Sequence, residues 1–180
     1  IFAALFHAVS AFCNAGFALF SDSLEGFGGN AAVSITVALL IIAGGLSFGV
    51  LMNLGSSLIP KNHVKRRGGR LLTVNTRAVL SLTAGLIVLG TFLFYGLEHG
   101  GILKDLSTGE QYLAAFFQSV TLRTAGFNTV PMGSLTNATY LFMFLFMFIG
   151  GASGSTAGGI MFNSLAVIGA YFRSQLKESR

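Results

Sequence analysis

Long apolar stretches alternate with short polar ones along this chain. Residues 27–60, 78–97 and 124–172 carry no charged side chain, giving runs of 34, 20 and 49 residues. Uncharged apolar runs of about 18 residues or more read as membrane spans, and a soluble core helix seldom exceeds ~20. The pattern predicts membrane helices over about 31–55, 78–97 and 138–172. Two shorter stretches behave differently. Gly109–Leu122 places Tyr112, Leu113, Phe116, Phe117 and Val120 at helical spacing. Such a helix is only ~21 Å long, too short for a ~30 Å hydrocarbon core. Ile1–Phe12 has the same character. Both are expected to lie at the interface, or to dip into the membrane and return.

The two short stretches are also copies of one another. A constant offset of 110 superposes Phe6 on Phe116 and Ala15-Gly16-Phe17 on Ala125-Gly126-Phe127. Each copy ends in a turn, made of Cys13, Asn14, Ala15 and Gly16 or of Arg123, Thr124, Ala125 and Gly126. Glycine permits positive φ, so successive carbonyls can turn toward one axis. A dehydrated cation needs a ring of oxygens in place of its water, and backbone carbonyls supply one. Short helices aimed C-terminus first at the same point add a partial negative field. The paired turns are therefore read as parts of a cation filter. Phe17 and Phe127 are expected to pack behind it, and Arg123 to brace its loop rather than touch the ion. A single Ala-Gly-Phe would be explained by a surface turn; two in equivalent contexts favour a pore.

The last apolar run contains Gly150, Gly151, Ala152, Ser153, Gly154, Ser155, Thr156, Ala157, Gly158 and Gly159, ten small residues in a row. The apolar helix expected before it, Asn137–Ile149, covers only ~20 Å, so the tract begins inside the membrane. Glycine within a helix costs ~1 kcal/mol relative to alanine, and five glycines in ten positions should unwind it. Ile160–Phe172 resumes an apolar run. Small-xxx-small spacings such as Gly150 to Gly154 also suit helix packing, and Gly45 to Gly49 is read that way. The denser tract is read as an intramembrane gating loop that obstructs or clears the pore. Ala43–Gly49 aligns with Ile149–Ser155, which makes the repeating unit helix, pore loop, helix.

Composition agrees with a membrane protein: 53% of residues are apolar and 9% charged, against ~25% charged in soluble domains. The net charge of +5 is unevenly distributed. Lys61, Lys65, Arg66, Arg67, Arg70 and Arg77 form a loop without an acid, and Arg173, Lys177 and Arg180 accompany only Glu178 near the C-terminus. Short basic loops stay cytoplasmic. This predicts a multi-pass protein of the plasma membrane, a bacterial inner membrane by preference, with 61–77 and the C-terminus inside and both turns outside. A position between two spans makes a nucleic-acid surface a poor reading of the basic loop; lipid headgroups or a cytoplasmic partner suit it better. One cysteine excludes an internal disulfide, and His7, His63 and His99 share no ligand spacing. The chain starts at Ile1 without a signal-peptide pattern and ends in Lys-Glu-Ser-Arg180, as expected of a piece of a longer protein. The expected organisation is the end of one repeat (1–60), a cytoplasmic basic loop (61–77) and a complete second repeat (78–180).

Three segments carry a resemblance: Ser10–Phe20, Ser119–Thr129 and Gly150–Ile160. In this order they resemble the Trk/Ktr/HKT superfamily of potassium transporters, most closely its Ktr-type membrane subunit. The resemblance implies an all-α polytopic fold of four helix–loop–helix repeats around one pore, of which this chain matches the second filter loop through the third repeat. It implies potassium as the substrate, held at Cys13–Gly16 and Arg123–Gly126, with sodium linkage compatible and no cofactor. It also implies a homodimer, the missing repeats of the same chain, and a cytoplasmic nucleotide-binding regulatory subunit. Met161 stands where the family often has lysine, so no role of that lysine carries over.

Two other classes compete. Gly151-Ala-Ser-Gly154 resembles the nucleophile motif of rhomboid intramembrane proteases, but that chemistry needs a histidine base, and none follows His99. A structural scaffold fits the composition yet leaves the duplicated turns unexplained. No Gly-Lys-Ser/Thr phosphate loop and no Thr-Val-Gly-Tyr-Gly channel signature occurs.

Overall fold

The computed structural model describes residues 1–58, 72–149 and 151–159, together with 171 and 175. The described residues form helices, turns and loops, with no strand element. In chain order the helices are α1 (Phe2–Phe12), α2 (Ala31–Gly45), α3 (Phe48–Leu58), α4 (Val74–Glu98), α5 (Thr108–Thr121) and α6 (Asn137–Phe148). Short 3₁₀ turns, Glu25–Phe27 and Met132–Ser134, precede α2 and α6. The basic segment 61–71, the run from Ile160, Met161 and the C-terminal charges lie outside the described residues.

Polar caps start the apolar helices. The Asn30 side chain accepts from the N–H groups of Ala32 and Val33 at the start of α2. Thr73 and Thr136 accept from Thr76 and Thr139 at the starts of α4 and α6. Ser107 and Glu110 form a reciprocal capping box on α5. Each cap satisfies N–H groups that have no partner within the helix.

α4 is the one described helix that is both long and apolar enough to cross a membrane unaided. Its 25 residues extend ~37 Å. The expected continuous span over 31–55 is corrected by the structure: α2 and α3 are separate and meet at 107°. Leu46 is extended (φ −81°, ψ 138°), and Ser47 Oγ accepts from Val50 N, restarting the chain as α3. The reading of Gly45 and Gly49 as one helix-packing motif fails with it, because the two glycines stand on different helices. Gly44-Gly-Leu-Ser47 is a stop signal followed by a start signal.

α5 occupies the centre. On one side Phe117, Val120, Ala125 and Phe127 pack with Ala11, Val37, Ala38 and Ile41 of α1 and α2. On the other, Ala114, Ala115 and Leu122 pack with Phe94 of α4 and Met143 of α6. Gly90 lets α4 approach closely: a Cβ there would lie 2.3 Å from Ser119 Oγ, which donates to Ile87 O at 2.8 Å. Buried Glu98 joins α4 to α6 by accepting from Thr136 N (2.9 Å), Thr136 Oγ1 and Thr139 Oγ1. A carboxylate at that helix N-terminus is favourably placed in the field of the helix. Phe2, Leu5, Val9 and Phe12 of α1 are exposed.

Candidate filter turns and the glycine tract

Both short helices end in the same unusual backbone. Asn14 and Gly16 have φ of 50° and 71°; Thr124 and Gly126 have 69° and 85°. Left-handed residues thus stand at matching alternate positions of the two turns. Glycine takes this conformation freely, whereas an L-residue pays about 1–2 kcal/mol, and a β-branched one such as Thr124 is a marked outlier. Alternating backbone handedness segregates N–H groups from carbonyls. The N–H of Ala15 donates back to Ser10 O (2.9 Å) and that of Ala125 to Thr121 O (3.0 Å). No donor among the described residues bonds the carbonyls of Cys13, Asn14, Ala15, Gly16, Thr124, Ala125 or Gly126.

The turns lie side by side. A Cβ on Gly16 would fall 2.4 Å from Ala125 O and 3.1 Å from Gly126 Cα. The chain beyond each turn is cross-linked: Leu24 N donates to Asn128 O (3.0 Å), and Asn128 N donates to Ser23 Oγ (3.1 Å). Hydroxyls clamp the exits. Ser10 Oγ donates to Phe17 O (2.8 Å). Thr121 Oγ1 donates to Phe127 O and accepts from Phe127 N, both at 2.9 Å. Sequence reading did not select these two residues, although a hydroxyl in the last helical turn before each Ala-Gly-Phe was visible.

Side chains around the turns differ. Phe127 is fully buried, while Phe17 is exposed, so the expected packing role fits only the second copy among the described residues. Cys13 is exposed. Arg123 is buried, and its Nη2 would lie 3.6 Å from a Cβ on Gly45. The guanidinium therefore stands at the C-terminal end of α2, where the negative end of the helix dipole favours a cation. His7 is a bonded core histidine: Nδ1–H donates to Ala3 O (2.7 Å) and Nε2 accepts from Leu19 N (3.2 Å). Neither ring nitrogen is left to act as a base for Ser153.

The glycine tract is docked on the turns. Ala152 N donates to Gly45 O (3.3 Å) and Thr156 N to Gly44 O (3.2 Å). Thr156 Oγ1 accepts from Asn14 Nδ2 (2.9 Å), and its one proton is shared between Gly44 O (2.9 Å) and Phe12 O (3.1 Å). Gly158 N donates to Thr124 Oγ1 (2.8 Å). Gly154 and Gly159 have φ of 78° and 82°, which accounts for glycine at those two positions. Gly150 lies outside the described residues. Close packing also explains Gly44, where a Cβ would meet Phe12 O at 1.8 Å.

Short helices that stop at paired left-handed turns, beside a broken helix folded against them, define a helical membrane protein built from helix–pore loop–helix units. A model of the TrkH cation transport protein family matches residues 1–180, and the chain belongs to that family. It is 44% identical over 169 residues to the Ktr system potassium uptake protein B of Vibrio alginolyticus, covering 93% of this chain and 36% of the relative. The Potassium/sodium uptake protein NtpJ of Enterococcus hirae is 38% identical over 169 residues, with the same coverage of 93% and 36%. The crystal structure of the potassium transporter TrkH from Vibrio parahaemolyticus shares the fold, with a TM-score of 0.76 at 21% identity, covering 99% of this chain and 37% of that one. The chain thus spans about a third of the length of the relatives it matches.

Proposed function

We propose that the protein containing this chain is a transporter rather than an enzyme, and that it takes potassium into the cell through a filter to which residues 13–16 and 123–126 contribute carbonyl oxygens. The observation that carries this reading is the pair of adjacent left-handed turns in which the carbonyls of residues 13–16 and 124–126 accept no hydrogen bond from the described residues. Oxygens so arranged can replace the water shell of a cation. Family membership and the names of the relatives, potassium uptake proteins, favour potassium as the ion. Sodium linkage is the finer reading, supported by the potassium/sodium relative. Residues 150–159 act as the gating loop. The basic loop and C-terminus face the cytoplasm, and the turns face outside. Residues 1–60 end one repeat and 78–180 form the next, so a complete pore needs two further repeats. A homodimer bound to a cytoplasmic nucleotide-binding regulatory subunit completes the proposed assembly.

Rubidium uptake by the full-length protein, with Gly16 or Gly126 replaced by valine, tests the reading. Uptake should fall to background while the protein still reaches the membrane. Uptake at the parental rate by both variants would remove the filter assignment.

A further inference from the structure

Asn14 and Thr124 stand 110 residues apart at the same point of the two turns, and both are non-glycine residues in the left-handed region. Each is hydrogen-bonded to the glycine tract, at positions two residues apart: Asn14 Nδ2 to Thr156 Oγ1, and Thr124 Oγ1 to Gly158 N. Strained backbone persists only where its surroundings over-determine it. The last turns of α1 and α5 supply part of that restraint, and the tract supplies the rest.

We infer that Thr156 is a positioning residue for the filter: docking of the tract through its hydroxyl holds Asn14, and with Gly158 holds Thr124, in the geometry that binds the ion. This rests on the filter reading above and extends it. A loop that merely blocks the path would need no bond to the strained residues. Here the loop cannot leave without releasing them, and a β-branched residue freed from its bond at φ 69° relaxes toward negative φ and swings its carbonyl. Ion affinity and loop docking are then linked, and linkage is reciprocal: whatever factor the docked loop adds to ion affinity, the bound ion adds to docking.

Thr156 suits the task better than the glycine or alanine residues of the tract, which have no hydroxyl. Its hydroxyl accepts from Asn14 and donates to the carbonyl ends of α1 and α2, at Phe12 O and Gly44 O. It thereby ties one filter turn, the pore helix behind it and the C-terminal end of α2 to a single oxygen. Valine matches threonine in shape and removes these bonds without opening a cavity.

The test uses the full-length transporter in its native assembly, with rubidium and sodium as the probe ions. KM, maximal rate and the rubidium-to-sodium uptake ratio are measured for Thr156→Val, Thr156→Ser and Asn14→Gly, with membrane levels quantified. Thr156→Val should raise the KM for rubidium and lower the uptake ratio by about three- to tenfold each, the equilibrium equivalent of one hydrogen bond. Thr156→Ser keeps the hydroxyl and should return both to within about twofold of the parent, a factor well inside the worth of that bond. Asn14→Gly keeps the left-handed backbone but removes the donor, and should move both quantities in the same direction as Thr156→Val. A changed maximal rate with unchanged KM and ratio would overturn the inference, leaving the tract a simple obstruction. If Thr156→Val fails to reach the membrane, Asn14→Gly alone decides in the same terms. The glycine variants separate the two levels. If Gly16→Ala and Gly126→Ala alter KM and ratio but Thr156→Val does not, only the coupling fails; if none of them alters either, the filter reading fails.

Discussion

The turn at residues 13–16 and the turn at 123–126 agree in backbone and disagree in side chains. Both put left-handed residues at the same two positions, and both return the alanine N–H to the preceding helix. Yet the first reaches the glycine tract with a carboxamide that donates, and the second with a hydroxyl that accepts. Phe17 is exposed where Phe127 is buried, and His7 fills the place of Phe117. What the two copies share is what presents the carbonyls. What they do not share is how each is braced by its own surroundings. The surroundings are unequal within this chain: α5 is enclosed by α2, α4 and α6, while α1 leaves Leu5, Val9 and Phe12 exposed at the positions matching buried Ala115, Ser119 and Leu122.

The strongest way to break the comparison is to add a side chain to each turn glycine. A Cβ on Gly16 would lie 2.4 Å from Ala125 O, whereas one on Gly126 comes no closer than 3.4 Å to Gly16 Cα. Both alanine variants are also strained by positive φ. Gly16→Ala should therefore lower rubidium uptake by about a hundredfold and Gly126→Ala by about tenfold, taking ~1.4 kcal/mol per factor of ten. Equal effects would mean the turns do not press on each other.

A slightly smaller effect is expected where the first turn's helix meets α2. A Cβ on Gly44 would sit 1.8 Å from Phe12 O, so Gly44→Ala must push α2 away from α1. Such overpacking should cost about 2 kcal/mol, read as a lowered unfolding temperature in detergent. The second unit has its own anchor in Glu98, which accepts three hydrogen bonds from the start of α6. Glu98→Gln should destabilise by about 1–3 kcal/mol in the same assay.

The smallest effect separates the pore helices themselves. α5 begins with a capping box and α1 has no side-chain cap, so Ser107→Ala should cost about 1 kcal/mol. Hydrogen bonds from the Ser107 hydroxyl and N–H hold the Glu110 carboxyl below its ordinary pKa. The folded value being depressed, this contribution is present above the unfolded pKa and lost as pH falls through the folded one. Ser107→Ala should therefore flatten the acid limb of the stability profile, and an unchanged acid limb would exclude the box as its source.

Much of this was legible in the sequence. Charge-free runs marked α4 and α6, and helical spacing marked α5 to within a residue at each end. The 110-residue offset found both turns, because the same backbone problem was solved twice with glycine. The break between α2 and α3 was hidden because Gly45 and Gly49 were read as a packing pair, and Ser47 was not weighed as a cap. The bonds of Thr156 were beyond reach for a different reason. They join residues 112 to 144 apart, and nothing in local periodicity sets the register between a glycine tract and a distant turn. Glu98 escaped similarly: a lone acid after an apolar run looks like a loop charge until α6 is seen to start on it.

Neither turn contains a carboxylate or an imidazole. On the proposed filter reading, an ion held by these two turns would face backbone dipoles rather than an ionised acid, with the buried guanidinium of Arg123 in the second turn. Protons competing with such an ion would find no carboxylate in either turn to neutralise.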